Sequence, residues 1–371
     1  MSLIAQLKTI SDPRGQRGKR YPLWLLMFLA LLGSLCGYWG YRPLAKFCSK
    51  HQSALAQLLE LDSQTPLLPS YSTFRRLFLL LEAQAWVDAF NVWALSHAPE
   101  WTELDWAIDG KSIKCTSSGG QTSAQDFACL VSVYGQRAGV VQLALMFNRS
   151  ESEIAVAKRL VQSVTAAPTL AQSLPLGFSL DALHLQVGTL ELLESRHCSY
   201  VIALKANQKQ LYQRAQRLVQ QQAPLAQASH RETQHGRQTQ RSIGVYPFSG
   251  LLPKRWAQAG LSRLLWVHRR GTRSGQAFEE NHFYLSNAQH EAVVFLEWIR
   301  SHWHIENGLH WVKDVTFKED DPPRRGGQAP ISWAVVHSFL ITLARRLGMR
   351  TVPDCQRDLA NQVHEVFSWL T

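Results

Sequence analysis

Apolar residues recur at helical spacing through the first hundred positions, which predicts helices throughout this part of the chain. The most apolar stretch, Trp24 to Leu35, follows a basic run, a pattern that a membrane anchor also shows. The wider uncharged segment around it, Tyr21 to Tyr41, is interrupted by Pro22, Gly33, Gly37 and Gly40, and the chain has no second stretch of this length. We therefore interpret it as a buried core helix, and we predict an all-helical N-terminal domain over residues 1–99 that does not associate with a membrane.

Two arginines stand just inside the start of one helix of this predicted domain. Arg75 and Arg76 follow Ser72 and Thr73, either of which is a suitable N-cap. Cationic side chains at such a place fit contacts with DNA phosphates, and a solvated helix face explains them equally well. With the first interpretation, residues 1–99 are a DNA-binding domain.

Short apolar runs replace the helical pattern from Trp106 onward. Three of them predict a strand meander, and a helix, a strand, a helix and a fifth strand follow. This order indicates an α/β fold with a mixed sheet over residues 100–371. Between about residues 208 and 289, a glutamine-rich helix predicted over 213–227 leads into three strand-like runs. We interpret this part as a strand-rich insertion.

The helix predicted after the insertion divides sharply into apolar and polar positions. One stripe is predicted to face a core and comprises Val294, Trp298, Ile305, Leu309 and Val312. The polar residues beside it are spaced to share one face and comprise His302, Glu306, His310 and Lys313. For any single residue a surface salt-bridge face suffices, but so many Trp, His and Glu side chains in a short stretch favour a site.

Charge and cysteine content narrow the class of protein. The 371 residues carry a formal net charge of +11, which favours a polyanionic partner, nucleic acid before membrane. The six cysteines form no C-x-x-C pair. Their scatter argues against a zinc ribbon or a disulfide framework and suits a reducing cytoplasm.

Three acidic residues occupy the positions where an α/β sheet gathers ligands. Asp109 and Asp181 each end a predicted strand, and Glu306 lies on the late helix. Either aspartate alone is more simply an ordinary strand-end residue. Together in a basic protein, the three carboxylates suit Mg²⁺ or Mn²⁺, and two such ions about 4 Å apart promote displacement at phosphorus.

Several motifs in order carry a family resemblance. The C-terminal ones are Ala107–Lys111, Asp181–Gln186, Ala203–Gln208, His235–Arg237, Arg300–Trp311 and Asp314–Asp320. The N-terminal ones are Asp12–Arg14, Tyr21–Leu23 and Pro69–Arg76. With them the chain resembles the DDE transposases of bacterial insertion sequences, specifically the H-repeat-associated branch with its N-terminal transposase-associated domain. The resemblance covers nearly the whole chain.

The resemblance implies both a fold and an activity. The fold is an RNase H-like core with a mixed sheet, in which Asp109, Asp181 and Glu306 are the catalytic and metal-binding residues. The activity is binding to the terminal inverted repeats of the element, followed by DNA strand cleavage and strand transfer with two Mg²⁺ or Mn²⁺ ions. The implied partners are element ends and target DNA, with a homodimer in the synaptic complex, in a bacterial cytoplasm at the nucleoid.

Further residues are assigned by position in these motifs. Those predicted to contact DNA, besides Arg75 and Arg76, are Lys111, Lys205, His235, Arg237, Arg300, His302, His310 and Lys313. His310 and Lys313 are alternatively expected to orient Glu306. His184 and Gln186 are predicted to line the same cleft, and Trp298 and Trp303 are assigned to the core. Related transposases carry a Tyr–Arg–Glu–Lys signature, of which this chain keeps Glu306 and Lys313 but has Ile299 and His302 in the first two places.

Two alternatives stay open at this stage. A catalytically inactive or domesticated relative would bind the same DNA ends without cutting them. A zinc hydrolase built on His302, Glu306 and His310 would leave Asp109 and Asp181 without a role.

Overall fold

The computed structural model describes residues 2–61, 69–97, 106–120, 125–167, 176–234, 237–248, 252–256, 258–273 and 276–371. The chain divides into two compact units. Unit 1 comprises Met1–Glu100, Gly110–Ser152 and Asn307–Thr371, and unit 2 comprises Trp101–Asp109 and Glu153–Glu306. The sequence-based division at residues 99 and 100 and the limits of the insertion stay predictions.

The described residues form the following elements. The helices are α1 (Leu3–Thr9), α2 (Leu23–Leu35), α3 (Tyr41–Lys50), α4 (Gln52–Leu58), α5 (Tyr71–Leu80), α6 (Ala83–Ser96), α7 (Glu153–Ala166), α8 (Val187–Ser195), α9 (Lys209–Gln221), α10 (Ala292–Ile305), α11 (Trp311–Val315), α12 (Ala329–Arg346), α13 (Val352–Asp358) and α14 (Val363–Leu370). The strands are β1 (Trp106–Ser112), β2 (Ala128–Gly135), β3 (Gly139–Phe147), β4 (Gly177–Leu180), β5 (Ser199–Leu204), β6 (Ala226–Gln234), β7 (Arg237–Pro247), β8 (Arg263–Arg273) and β9 (Gln276–Ser286).

The apolar N-terminal helix is a core element, as the sequence predicted. Every residue of α2 except Trp24 is buried, including Ser34. Since the helix has only 13 residues, it is much shorter than the roughly 20 residues that a bilayer requires. Across the part of the chain that the structure describes, no helix is long and apolar enough to cross a membrane.

The predicted N-cap of α5 was wrong by two or three residues. Ser70 is the cap: its backbone is extended, and its hydroxyl accepts a hydrogen bond from the backbone N–H of Thr73. Ser72 and Thr73 already lie within the helix. The serine that precedes the first helical residue, Tyr71, is therefore the one that satisfies a free N–H group of the first turn.

A buried helix organises the rest of unit 1. The residues of α12 from Ala329 to Ala344 are all buried, so this helix is apolar around its whole circumference. Phe339 packs on Phe90 and Trp93 of α6. The β2–β3 hairpin approaches the same helix so closely at Gly139 that a Cβ there would lie 2.7 Å from the Thr342 Cα.

Unit 2 holds most of a large mixed sheet. Its strands are hydrogen-bonded in the order β1-β4-β5-β9-β8-β7-β6. The pairs β1–β4 and β4–β5 are parallel, and β5–β9 and all later pairs are antiparallel. The mixed α/β sheet that the sequence predicted is thus confirmed. Helix α10 packs on this sheet through a core that includes Ile243, Val267, Phe295 and Trp298.

The strand-rich region differs in detail from its prediction. The glutamine-rich helix, predicted to reach residue 227, ends at Gln221, and β6 begins at Ala226. Pro224 explains this, because proline cannot continue a helix and keeps the preceding residue out of the helical region. The strand β6 was missed because polar residues such as Arg231 and Glu232 conceal its pattern. It is held by its antiparallel pairing with β7.

Candidate active site

Two of the three predicted acids lie just beyond the paired part of two adjacent parallel strands, although β1 was predicted to end at Asp109 and continues to Ser112. The β1–β4 register runs from Trp106 opposite Phe178 to Ile108 opposite Leu180. Asp109 and Asp181 directly follow the last paired residues, so their backbones lie side by side. Because the carboxyl ends of parallel strands share one edge of a sheet, the sequence correctly placed both acids at the same edge.

Asp181 is held loosely. It caps a short 3₁₀ turn by accepting a hydrogen bond from the backbone N–H of Ala182. Lys205, at the end of β5, places its Nζ 3.3 Å from Asp181 Oδ1. Their side chains are 48% and 68% exposed, so this ion pair is weak and the carboxylate is free to exchange partners.

Glu306 stands where the late helix changes its winding. Helix α10 ends at Ile305, a π-helical turn spans Glu306–His310, and α11 continues from Trp311. Such turns are rare and occur frequently at functional sites. Glu306 is exposed, and one of its carboxylate oxygens lies within 4.8 Å of one from Asp109. His310, the last residue of the turn, is buried in unit 1.

A cavity of about 540 Å³ in unit 2 connects the three acids. Asp109, Asp181 and Glu306 all line it, and so do Lys205 and His302. This is the size range of small-ligand sites. The close carboxylate group in the structure contains Asp109 and Glu306, whereas Asp181 lines the same cavity beside its lysine.

The cavity has an aromatic wall that sequence reasoning missed. It is formed by Tyr212, Phe283, Tyr284 and Trp303. Trp303 was assigned to the core but is 54% exposed, whereas Trp298 is buried as predicted. The exposure of Trp303 follows from its position three residues before Glu306, because residues three apart on a helix face the same side.

The polar residues of α10 fasten it to the sheet. His302 Nδ1 lies 3.0 Å from the Ser179 hydroxyl on β4. His302, which stands where related transposases have arginine, therefore contacts the sheet and also lines the cavity. Arg300 is ion-paired with Glu232 on β6 at 2.8 Å, and the same carboxylate binds Arg241 at 2.7 Å. Ile299 is buried. These contacts fix the helix one turn before Glu306.

The predicted single polar face of the late helix was wrong. His302 is half-buried and Glu306 exposed, but His310 and Lys313 are buried. The π turn lies between His302 and Lys313 and adds a residue to the helix, so these two side chains do not share a face as α-helical spacing predicts. The apolar stripe was predicted correctly except for Val294, which is only partly buried.

Lys313 lies entirely inside unit 1. Its Nζ donates a hydrogen bond to the carbonyl oxygen of Ala334 at 3.0 Å and lies 3.6 Å from Glu319. Glu319 is also 2.7 Å from His337 Nδ1. All three side chains are at most 7% exposed. In this arrangement Lys313 contacts protein and not solvent, which suits the second role considered for it, positioning the helix that carries Glu306.

Lys111 is bound by two carboxylates. Its Nζ lies 2.8 Å from Asp314 and 3.3 Å from Asp320, and the side chain is 12% exposed. Burial acts to lower the pKa of Lys111, but the two carboxylates outweigh burial and raise it. Contact with a DNA phosphate therefore stays a prediction that requires an exchange of these partners.

The remaining predicted residues are widely distributed. Arg75 and Arg76 are exposed on α5. His235 lies outside the described residues, and so does the side chain of Arg237, whose backbone begins β7. His184 is buried and bound to Glu153 at 3.2 Å, and neither it nor Gln186 is among the residues that line the cavity.

The π turn depends on a glycine. A Cβ at Gly308 would lie 2.3 Å from the Tyr134 hydroxyl oxygen, and the Gly308 carbonyl accepts a hydrogen bond from Arg345 at 2.8 Å. We expect Gly308→Ala to lower the free energy of unfolding by about 1–3 kcal/mol, since Tyr134 is buried and the core cannot readily admit the methyl group.

Chemical denaturation of four proteins tests this expectation. Tyr134→Phe removes the oxygen atom nearest to the added methyl group, so the double variant should be more stable than the sum of the two single changes predicts. Additive losses would show that the close contact with Tyr134 does not constrain the turn.

Comparison with known proteins identifies the family of the chain. The family model described as "Transposase DDE domain" matches residues 101–330, and "DDE_Tnp_1-associated" matches residues 4–94. The chain is 23% identical over 375 residues to "Putative transposase YncI" of Escherichia coli O157:H7, covering 96% of this chain and 88% of YncI. It is 24% identical over 353 residues to "H repeat-associated putative transposase YhhI" of Escherichia coli K12, covering 90% and 88%.

A solved structure is also similar, but weakly. The piggyBac transposase synaptic complex with hairpin DNA matches with a TM-score of 0.41 and 10% identity, covering 98% of this chain and 76% of that one. This likeness is too low to support a conclusion. The family models suffice, since the first of them spans more than half of the chain and the resemblance noted in the sequence is confirmed. The chain therefore belongs to the DDE transposase family and carries the N-terminal domain associated with it.

Proposed function

We propose that this protein is an insertion-sequence transposase that binds the terminal inverted repeats of its element and catalyses metal-dependent cleavage and transfer of DNA strands. One observation carries the proposal: in a DDE-family chain, Asp109 and Glu306 bring carboxylate oxygens within 4.8 Å of each other, in a cavity that Asp181 also lines. The parallel strands β1, β4 and β5 beside that cavity are consistent with an RNase H-like core.

The donor set fits a hard divalent cation. Asp109 and Glu306 supply oxygen ligands, and Asp181 adds another once it exchanges Lys205 for a metal. Bound Mg²⁺ or Mn²⁺, with two ions expected, would supply Lewis-acid stabilisation of charge on the phosphate and a more acidic attacking water or 3′-hydroxyl. The zinc alternative is less suited to this site, because it leaves without a role Asp109, whose carboxylate lies close to that of Glu306.

The remaining residues would position DNA. Lys205 lies at the cavity and is exposed, so it is available to a phosphate next to the reacting one. Trp303 and the tyrosines of the cavity wall offer surfaces for sugars or bases. We assign DNA contacts also to Arg75, Arg76, His235, Arg237 and Arg300. Synapsis of two element ends would occur in a homodimer, in the bacterial cytoplasm at the nucleoid.

Incubation with DNA that carries the ends of the protein's own element tests the proposal. With Mg²⁺ or Mn²⁺ we expect nicked ends and joined strand-transfer products on sequencing gels, and with EDTA we expect binding without cleavage. Binding without products under any divalent cation would instead identify an inactive, DNA-binding relative. Stoichiometric zinc retained through purification would contradict the magnesium assignment.

A further inference from the structure

A second concave site lies in unit 1, apart from the carboxylate cavity. We call it the arginine groove. It has a volume of about 380 Å³ and is lined by Trp39, Gly40, Tyr41, Arg42, Tyr71, Arg75, Pro323, Arg324 and Arg325. These residues come from the starts of α3 and α5 and from the loop that precedes α12. The sequence indicated Arg75 as a phosphate contact but did not indicate that the distant loop joins it.

The groove concentrates uncompensated positive charge. Its lining includes four arginines and no carboxylate. Arg325 is ion-paired with Asp321. Among the described residues, Arg42, Arg75 and Arg324 have no carboxylate within ion-pair distance. Three guanidinium groups left facing one concavity repel one another, and an anion bound among them would relieve that repulsion.

The least exposed of these cations is held in place by its surroundings. Arg324 lies over the Trp333 ring at 4.3 Å from the ring centroid. Burial lowers its pKa, so its charged form is incompletely solvated. It also packs against Gly40, where φ is +105° and an added Cβ would lie 3.4 Å from the guanidinium Nε. A guanidinium fixed in this way is preorganised for phosphate oxygens.

Aromatic rings complete the wall of the groove. The Arg42 guanidinium lies 5.3 Å from the centroid of the Tyr71 ring, and Tyr71 is 41% exposed. The Tyr41 ring packs edge-on to it at 6.0 Å. Guanidinium groups interleaved with exposed rings are the combination by which proteins hold a nucleic acid strand, with phosphates on the cations and sugars or bases on the rings.

We propose that the arginine groove binds the sugar-phosphate backbone of DNA, as a binding site separate from the carboxylate cavity. That the bound anion is DNA rests on the proposed function. That the groove prefers a ligand carrying phosphate groups rests on the residues of the groove itself. The groove supplies affinity and does not take part in the chemical step.

Metal-free binding measurements test the proposal. The full-length chain is titrated in EDTA with fluorescently labelled duplex DNA of arbitrary sequence and with a single strand of equal length, over a range of salt concentrations. For Arg75→Ala/Arg324→Ala we expect the Kd to rise about tenfold or more and the slope of log K against log salt to fall by about two, one for each lost phosphate contact.

A matched variant separates the groove from general surface charge. Arg149→Ala/Arg350→Ala also removes two exposed arginines of unit 1, but neither lines the groove. We expect at most about a threefold rise in Kd for this control. Equal losses in the two double variants would overturn the proposal, and so would full retention of binding by the groove variant. Thermal unfolding of both proteins establishes that they are folded.

Two further measurements identify the ligand and its place. Ultraviolet irradiation of a complex with bromodeoxyuridine-substituted DNA should crosslink a peptide that contains Tyr71 or Trp39, and crosslinks confined to unit 2 would contradict the proposal. Adenosine monophosphate distinguishes a free nucleotide from DNA: saturable nucleotide binding together with undiminished DNA binding by the groove variant would overturn the assignment to DNA.

The measurements distinguish an error in the groove assignment from an error in the proposed function. The binding measurements need no metal, so they test the groove independently of cleavage at the carboxylate cavity. An unaltered chain that binds neither probe at low salt would contradict the proposed function itself.

Discussion

Replacing Asp109 with Asn should reduce DNA cleavage and strand transfer by about a thousandfold or more while the protein stays folded. The substitution keeps the shape of the side chain but removes the negative charge beside Glu306. A carboxylate-bound metal contributes several kcal/mol to stabilisation of the transition state, and each 1.4 kcal/mol corresponds to a factor of ten in rate. The measurement is the initial rate of nicking of element-end DNA in Mg²⁺. Asp358→Asn, an exposed position that does not line the cavity, is the control and should retain full activity.

Substitutions of Glu306 and Asp181 test whether three carboxylates bind the metal or only two. Glu306→Gln should match Asp109→Asn. Asp181→Asn should also abolish cleavage if its carboxylate leaves Lys205 to bind metal, whereas a loss below about tenfold would show that Asp181 only orients Lys205. Binding of Mn²⁺, measured by calorimetry, should weaken equally in Asp109→Asn and Glu306→Gln. It should weaken in Asp181→Asn only if that carboxylate binds metal. The assignment of the metal site therefore does not depend on activity alone. Unchanged Mn²⁺ binding in all three variants would show that the metal does not bind in this cavity.

The sequence was a good guide to the strands that carry the acids. Asp109 and Asp181 could be placed together because each follows a short apolar run, and parallel strands end at one edge of the sheet. The strand pattern did not reveal that Lys205 binds Asp181, because that ion pair depends on how β5 is paired with β4.

The glutamate helix shows where sequence reasoning stopped. An apolar stripe at a spacing of 3.6 residues correctly places Trp298 and Ile305 on the buried side of the helix. The same spacing gives no sign of the π turn at Glu306–His310, which adds one residue to a helical turn. The turn rotates Lys313 from the predicted exposed face into the core. Gly308 was the available signal, since glycine inside a helix commonly marks a packing requirement, here the Tyr134 hydroxyl.

Exposed strands were the other failure. Helix α2 is apolar nearly throughout and was predicted within one residue of its structure, whereas β6 has alternating polar residues on both sides and was missed. Its pairing with β7 supplies the backbone hydrogen bonds that hold it in place. Side-chain composition does not reveal a strand that is held mainly by its partner.

The buried trio of Lys313, Glu319 and His337 provides the second large effect. The ammonium and the carboxylate neutralise each other, and a neutral His337 can donate its Nδ1 proton to Glu319 at 2.7 Å. Glu319→Gln should lower the free energy of unfolding by about 3–5 kcal/mol, because it leaves a buried lysine without its counter-charge. Urea denaturation measures the loss. Lys313→Met/Glu319→Leu, which removes both charges, should lose less than Glu319→Gln, and a larger loss in the double variant would contradict the account.

The same trio predicts how stability depends on pH. Burial lowers the pKa of His337 below its usual 6.5, so the unfolded chain binds this proton more readily and stability declines as pH falls below about 6.5. Burial acts to raise the pKa of Glu319, but Lys313 and His337 outweigh burial and hold it below its usual 4.5. The stability that Glu319 contributes is therefore complete above about pH 4.5 and lost as pH falls through its folded value. In Glu319→Gln the second decline should disappear, because the group that titrates there is gone, and a full acid transition in that variant would assign it to other carboxylates.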